Sequence, residues 1–185
     1  MILQLLILPL LMFGSSCVPK NDHTTEQTLT RISVDSIVVN KEIEPRIMYV
    51  IYGYYCGECD NECTKLYKHY LTGNSTTFWT DKSDSYFSDK GLRFETKMNR
   101  ESEKIGFDVV SNIPKSMLKT DSTNNVYGCP DCADGCGLYF EFKLEELNSQ
   151  PIVYRMEYDL INSPSDVKEF GELIKSTVEK LEKHR

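Results

Sequence analysis

The sequence predicts an α+β domain: a largely antiparallel sheet with a middle helix and a C-terminal amphipathic helix packed on it. Three observations lead there. Runs of β-branched and aromatic residues recur with turn residues between them. An apolar stripe at helical spacing closes the chain. Strands precede that closing helix, which fits segregated layers rather than a doubly wound sheet.

Arg46 to Tyr55 (RIMYVIYGYY) is dense in β-branched and aromatic residues and reads as a strand, with Ile32 to Val39 a weaker one before it. Leu66 to Leu71 and Thr76 to Thr80 flank Thr72-Gly73-Asn74-Ser75, a hairpin turn. Leu92 to Met98 adds another strand. Glu101 to Val110 places Ile105 and Val109 on one face and reads as the middle helix. Pro114 stops it and opens a short helix over Lys115 to Lys119, followed by a loop at Asp121 to Asn125. Leu138 to Leu144 and Ile152 to Ile161 form a late hairpin. Ser163 then N-caps the last helix, with Pro164 at its first position and Asp166 three residues after the cap. Val167, Phe170, Ile174, Val178 and Leu181 recur at helical spacing, with Lys and Glu opposite.

Residues 1–16 read as a signal peptide. The apolar run Met1 to Phe13 is shorter than the roughly 20 residues that span a bilayer, and the small residues Gly14, Ser15 and Ser16 suit a cleavage site. Cys17 directly after them resembles the lipobox of bacterial lipoproteins, in which the cysteine is lipidated and becomes the mature N-terminus. Residues 17–30 are polar, lack aromatics and read as a tether. Residues 31–185 then form one domain, long enough to bury a core.

The net charge is −7 and the pI near 5.1. Without a cluster of Lys and Arg there is no footprint for a phosphate backbone, so nucleic acid is not an expected partner. His23, His69 and His184 are scattered, with His69 expected on an exposed or edge position of its strand. No G-x-S-x-G, Walker or G-x-G-x-x-G motif is present.

One spacing occurs twice: Cys56-x2-Cys59-x3-Cys63 and Cys129-x2-Cys132-x3-Cys136. In an exported chain these six pair as structural disulfides. Six cysteines allow 15 connectivities, and spacing does not choose among them. The two clusters lie 73 residues apart (56 to 129), so a bridge between them would be worth about 4 kcal/mol by the loop-entropy model. The alternatives use the C-x2-C pairs. Cys56, Cys59, Cys129 and Cys132 resemble a four-thiolate zinc site. Cys56-Gly57-Glu58-Cys59 after a strand also resembles the thioredoxin layout, where Pro114 would take the family's cis-proline place. Glu58 and Asp60 oppose thiolate formation there, and no helix follows the second pair.

The run Tyr127-Gly-Cys-Pro-Asp-Cys-Ala-Asp-Gly135, followed by a strand and by Pro164 opening the last helix, resembles a group of secreted bacterial proteins and lipoproteins carrying a C-P-D-C-A-D-G segment. That resemblance implies an envelope location and an α+β fold. The expected function is a membrane-anchored envelope lipoprotein facing the periplasm or cell exterior. It would act as a binding or accessory module for an envelope protein or small ligand, with no cofactor. The alternative is an envelope thiol–disulfide oxidoreductase or a zinc-binding protein.

Overall fold

The computed structural model describes residues 46–184 except 58, 61, 73–74, 131, 133–134 and 147–148. Cys17, the leader, the tether and the strand expected at Ile32 to Val39 lie outside the described residues. Among the described residues seven strands form one sheet: β1 (Ile47–Cys56), β2 (Thr64–Thr72), β3 (Ser75–Thr80), β4 (Thr96–Lys97), β5 (Asn124–Tyr127), β6 (Cys136–Leu144) and β7 (Ile152–Glu157). Their order is β4-β3-β2-β1-β6-β7-β5, antiparallel throughout except that β5 runs parallel to β7. Helices α1 (Arg100–Ser111), α2 (Lys115–Leu118) and α3 (Ser165–Lys183) complete the α+β architecture. Among the described residues no helix is long and apolar enough to cross a membrane.

The most aromatic strand, β1, sits in the middle of the sheet, between β2 and β6. Its alternate residues serve two layers. Val50 and Tyr52 join Tyr67, Phe78, Leu138, Phe140, Phe142, Tyr154 and Met156 under the helices. Ile51 and Tyr55 join Leu66 and Tyr139 on the other face, where Tyr86, Leu92 and Phe94 of the β3–β4 connection cover them. Val167, Phe170, Ile174, Val178 and Leu181 of α3 are all buried, as their spacing predicts.

Each helix also receives a tyrosine hydroxyl from the sheet. Tyr52 donates to the Gly106 carbonyl of α1 at 3.0 Å, and Tyr154 to the Met117 carbonyl of α2 at 2.9 Å. Tyr67 donates to the Glu182 carboxylate of α3. Buried hydroxyls require such partners, so these bonds set where each helix rests.

Several sequence expectations shift. Of Leu92 to Met98 only Thr96 and Lys97 pair, because the Arg93 amide is drawn to Ser85 Oγ (2.7 Å) and the neighbouring apolar side chains pack on the sheet. The expected loop at Asp121 to Asn125 gives way at Asn124 to β5, held by Val153 N donating to Thr123 O at 2.9 Å. Strand β7 stops at Glu157 rather than Ile161. Leu160 adopts a φ of 58° in the turn and buries its side chain completely against Gly171. The last helix begins at Ser165 with Pro164 as its cap residue, since Pro164 remains extended (ψ 153°). Asn99 caps α1 by accepting from Ser102 N at 2.8 Å.

The approach of α1 depends on Gly106. A Cβ there would lie 2.5 Å from Tyr52 Oη and 2.7 Å from both His69 Nε2 and Phe78 Cζ. Gly106→Ala should therefore lower stability by about 1–3 kcal/mol despite alanine's better helix propensity. Urea denaturation checks this; a stabilised variant would show that α1 is not seated so closely.

Candidate functional site

All six domain cysteines meet at one end of the sheet. Cys56 ends β1, Cys136 begins β6, and the ladder sets the two opposite each other. They form a disulfide with Cα atoms 4.0 Å apart, spanning 80 residues of chain. Cys59–Cys63 closes the β1–β2 connection, and Cys129–Cys132 closes a turn ahead of β6. Cys56 N donates to Cys63 O at 2.9 Å and closes the first loop, while Gly57 N donates to Gly135 O at 3.2 Å and joins the two loops. The expected disulfides are thus formed, one between the clusters and one within each. The four sulfurs considered for zinc are distributed over all three bridges. Among the described residues no group of three or more His, Cys, Asp or Glu side chains is arranged to hold a metal ion.

Gly128 takes a φ of 69° to enter the Cys129 turn, and Glu157 fills the space where a Cβ would stand. That carboxylate accepts from Asn162 N at 2.6 Å and from Cys129 N at 3.4 Å. These amide bonds hold it below the usual carboxylate range.

A second polar cluster lies on the sheet face opposite the helices. Glu141, only 9% exposed, accepts from Tyr49 at 2.7 Å and from Tyr139. Burial, aided by that carboxylate, raises both phenols well above their ordinary range. Lys68 Nζ stands 4.0 Å from the Tyr49 ring centroid and 4.5 Å from that of Tyr70, a cation–π arrangement. Nothing in the sequence spacing marks this cluster. It arises from register, with Tyr49 facing Tyr70 on β2 and Lys143 on β6.

His69 corrects the sequence expectation. It is 0% exposed, not edge-on, because β2 is internal and Gly106 lets α1 close over it. Its ring stacks 4.1 Å from Phe78 and 5.9 Å from Tyr52. Since the Tyr52 hydroxyl proton goes to Gly106, His69 Nε2, 3.4 Å from that oxygen, is the donor. Nδ1 is then a buried acceptor with no hydrogen-bond partner. Burial pulls the imidazole pKa down to about 4, with the Gly106 backbone acting the other way. Trp79 is half-buried on the opposite face, paired across the ladder with Lys68 and Lys97.

No protein-family model, curated protein or solved structure matches this chain.

Two measurable consequences follow from the buried imidazole and the long bridge. His69 binds its proton less readily folded (about 4) than unfolded (6.5), so protonation favours the unfolded chain. Stability is intact above pH 6.5 and should fall by about 2–3 kcal/mol between pH 7 and 4.5 from this group. Urea titrations of wild type and His69→Phe at both pH values isolate it; parallel pH losses would reject the assignment. The 80-residue separation makes Cys56–Cys136 worth about 4–5 kcal/mol, while each short loop is worth about 2. Replacing Cys56 and Cys136 together with alanine should therefore lower the urea midpoint far more than replacing either local pair.

Proposed function

We propose that this chain is an exported lipoprotein of the bacterial cell envelope, anchored through Cys17 and acting as a binding or accessory module. The observation that carries it is the pairing of all six domain cysteines. Disulfides persist in oxidising compartments outside the cytoplasm. That agrees with the short apolar leader and its small residues ahead of Cys17. It also leaves Cys17 as the odd cysteine of seven, the one a lipid would take. The resemblance to secreted proteins with a C-P-D-C-A-D-G segment points to the same compartment.

The acidic balance of −7 directs partners toward proteins or small ligands rather than nucleic acid. Acylation would hold the domain at the membrane surface, where stable anchoring takes more than one acyl chain. The polar stretch after Cys17 would give the domain reach from that surface.

Expression of the full chain in a bacterial host with a labelled fatty acid tests the anchor. Label should enter the wild-type protein and co-fractionate with membranes, whereas Cys17→Ser should lose the label and leave the membrane fraction. An unlabelled wild type, or a Cys17→Ser variant that carries equal label, would reject lipidation at this residue.

A further inference from the structure

The three disulfides are not equivalent. Cys56–Cys136 joins paired strands, and both its residues are half-buried. In Cys59–Cys63 one partner, Cys63, is half-buried and lies next to the first residue of β2. Cys129 and Cys132 are both exposed and enclose only two residues. Exposure gives an external thiolate access, and accessible bridges are the labile ones. A ring this short also constrains the unfolded chain little, so the fold does not rest on it.

The turn that carries this pair has supports other than its sulfur bridge. Cys132 N donates to Cys129 O at 3.2 Å, and Gly135 N to Cys132 O at 3.1 Å. Gly57 N from the other cysteine loop donates to Gly135 O, and Glu157 accepts from Cys129 N. Pro130 between the cysteines is buried, close over Gly137 of β6. Opening the bridge breaks none of these backbone bonds and leaves two thiols on residues whose Cα atoms stand 5.3 Å apart, inside the range from which a disulfide re-forms. A bridge whose surrounding hydrogen bonds do not involve its sulfurs has the property a redox site requires.

We propose that Cys129–Cys132 is a thiol–disulfide exchange site for a dithiol protein, carried on a domain that Cys56–Cys136 keeps folded. A thiolate of the partner attacks one sulfur of the bridge. The S–S bond breaks, a mixed disulfide forms, and the other cysteine leaves as a thiolate that takes a proton from water. The partner's second thiol, as its thiolate, then attacks the mixed disulfide and releases the remaining cysteine. Two electrons pass to this chain, which ends as a dithiol, and the partner ends as a disulfide. The reverse sequence oxidises the pair. This site does not depend on the lipid anchor, and its test does not involve Cys17.

Native protein should be incubated in graded glutathione buffers and with reduced thioredoxin as the probe dithiol protein, then alkylated and mapped by mass spectrometry. Cys129 and Cys132 should take the label together, about tenfold or more faster than any other cysteine. Circular dichroism and Trp79 fluorescence should stay at their native values. Cys132→Ser should accumulate a glutathione adduct at Cys129, while a Cys129→Ser/Cys132→Ser double variant should fold and show no early labelling. The proposal is overturned if these two cysteines resist until the protein unfolds. It also fails if another pair opens first, or if labelling always accompanies loss of native circular dichroism.

Discussion

A buried tyrosine hydroxyl must find an acceptor, and on the helix-covered face of this sheet the acceptors lie on the helices. Tyr52, Tyr67 and Tyr154 rise from three different strands and each bonds a different helix. Apolar packing alone would let a helix slide on the sheet with little penalty, because hydrophobic attraction has no direction. A hydroxyl aimed at one carbonyl or carboxylate removes that freedom, since any slide leaves a buried polar group bare. Gly106 shows how far the constraint reaches. Tyr52 can bond its carbonyl only because no side chain keeps α1 away, and the same closeness buries His69. The acid sensitivity of the imidazole is thus a consequence of how one helix is anchored.

The central place of β1 links this layer to the cysteine end. The strand is covered on both faces, and its last residue is bridged to the first residue of β6. The long-range bridge therefore joins two strands that already share a hydrogen-bond ladder, which fixes the register of Cys56 and Cys136 as the ladder forms. The two local bridges sit just outside the ladder, where loops would otherwise fray. The Gly57 N to Gly135 O bond joins those loops, so the duplicated cysteine spacing corresponds to two turns at one end of the sheet rather than to two repeated domains.

Features that depend on local sequence were legible beforehand. The aromatic run of β1, the β2–β3 hairpin and the apolar stripe of α3 each carry their own periodicity or turn residues, and each stands where that signal puts it. Features created by contacts between distant segments were not. β5 begins with two asparagines and has no strand pattern; it exists because β7 offers an edge. Local sequence points His69 to an exposed or edge position, because nothing near it announces the glycine on α1 that covers it. The pairing of the cysteines had the same character. Export of a chain with six domain cysteines leads to bridges, yet only the antiparallel register of β1 with β6 pairs Cys56 with Cys136 and leaves each cluster a local pair.

That choice of partners has a physical consequence for function. Had the two clusters been joined by three parallel bridges, each sulfur would have held distant chain segments together and none could open without loosening the core. With one long bridge and two short ones, constraint is concentrated in a single half-buried link. The exposed pair at Cys129 and Cys132 then carries little of the structural constraint and has backbone bonds of its own at Cys129, Cys132 and Gly135. Stability and sulfur reactivity oppose each other when one bridge must serve both. In the proposed exchange they reside in different bridges at the same end of the sheet, and opening the exposed one would leave the strand pairing of β1 with β6 in place.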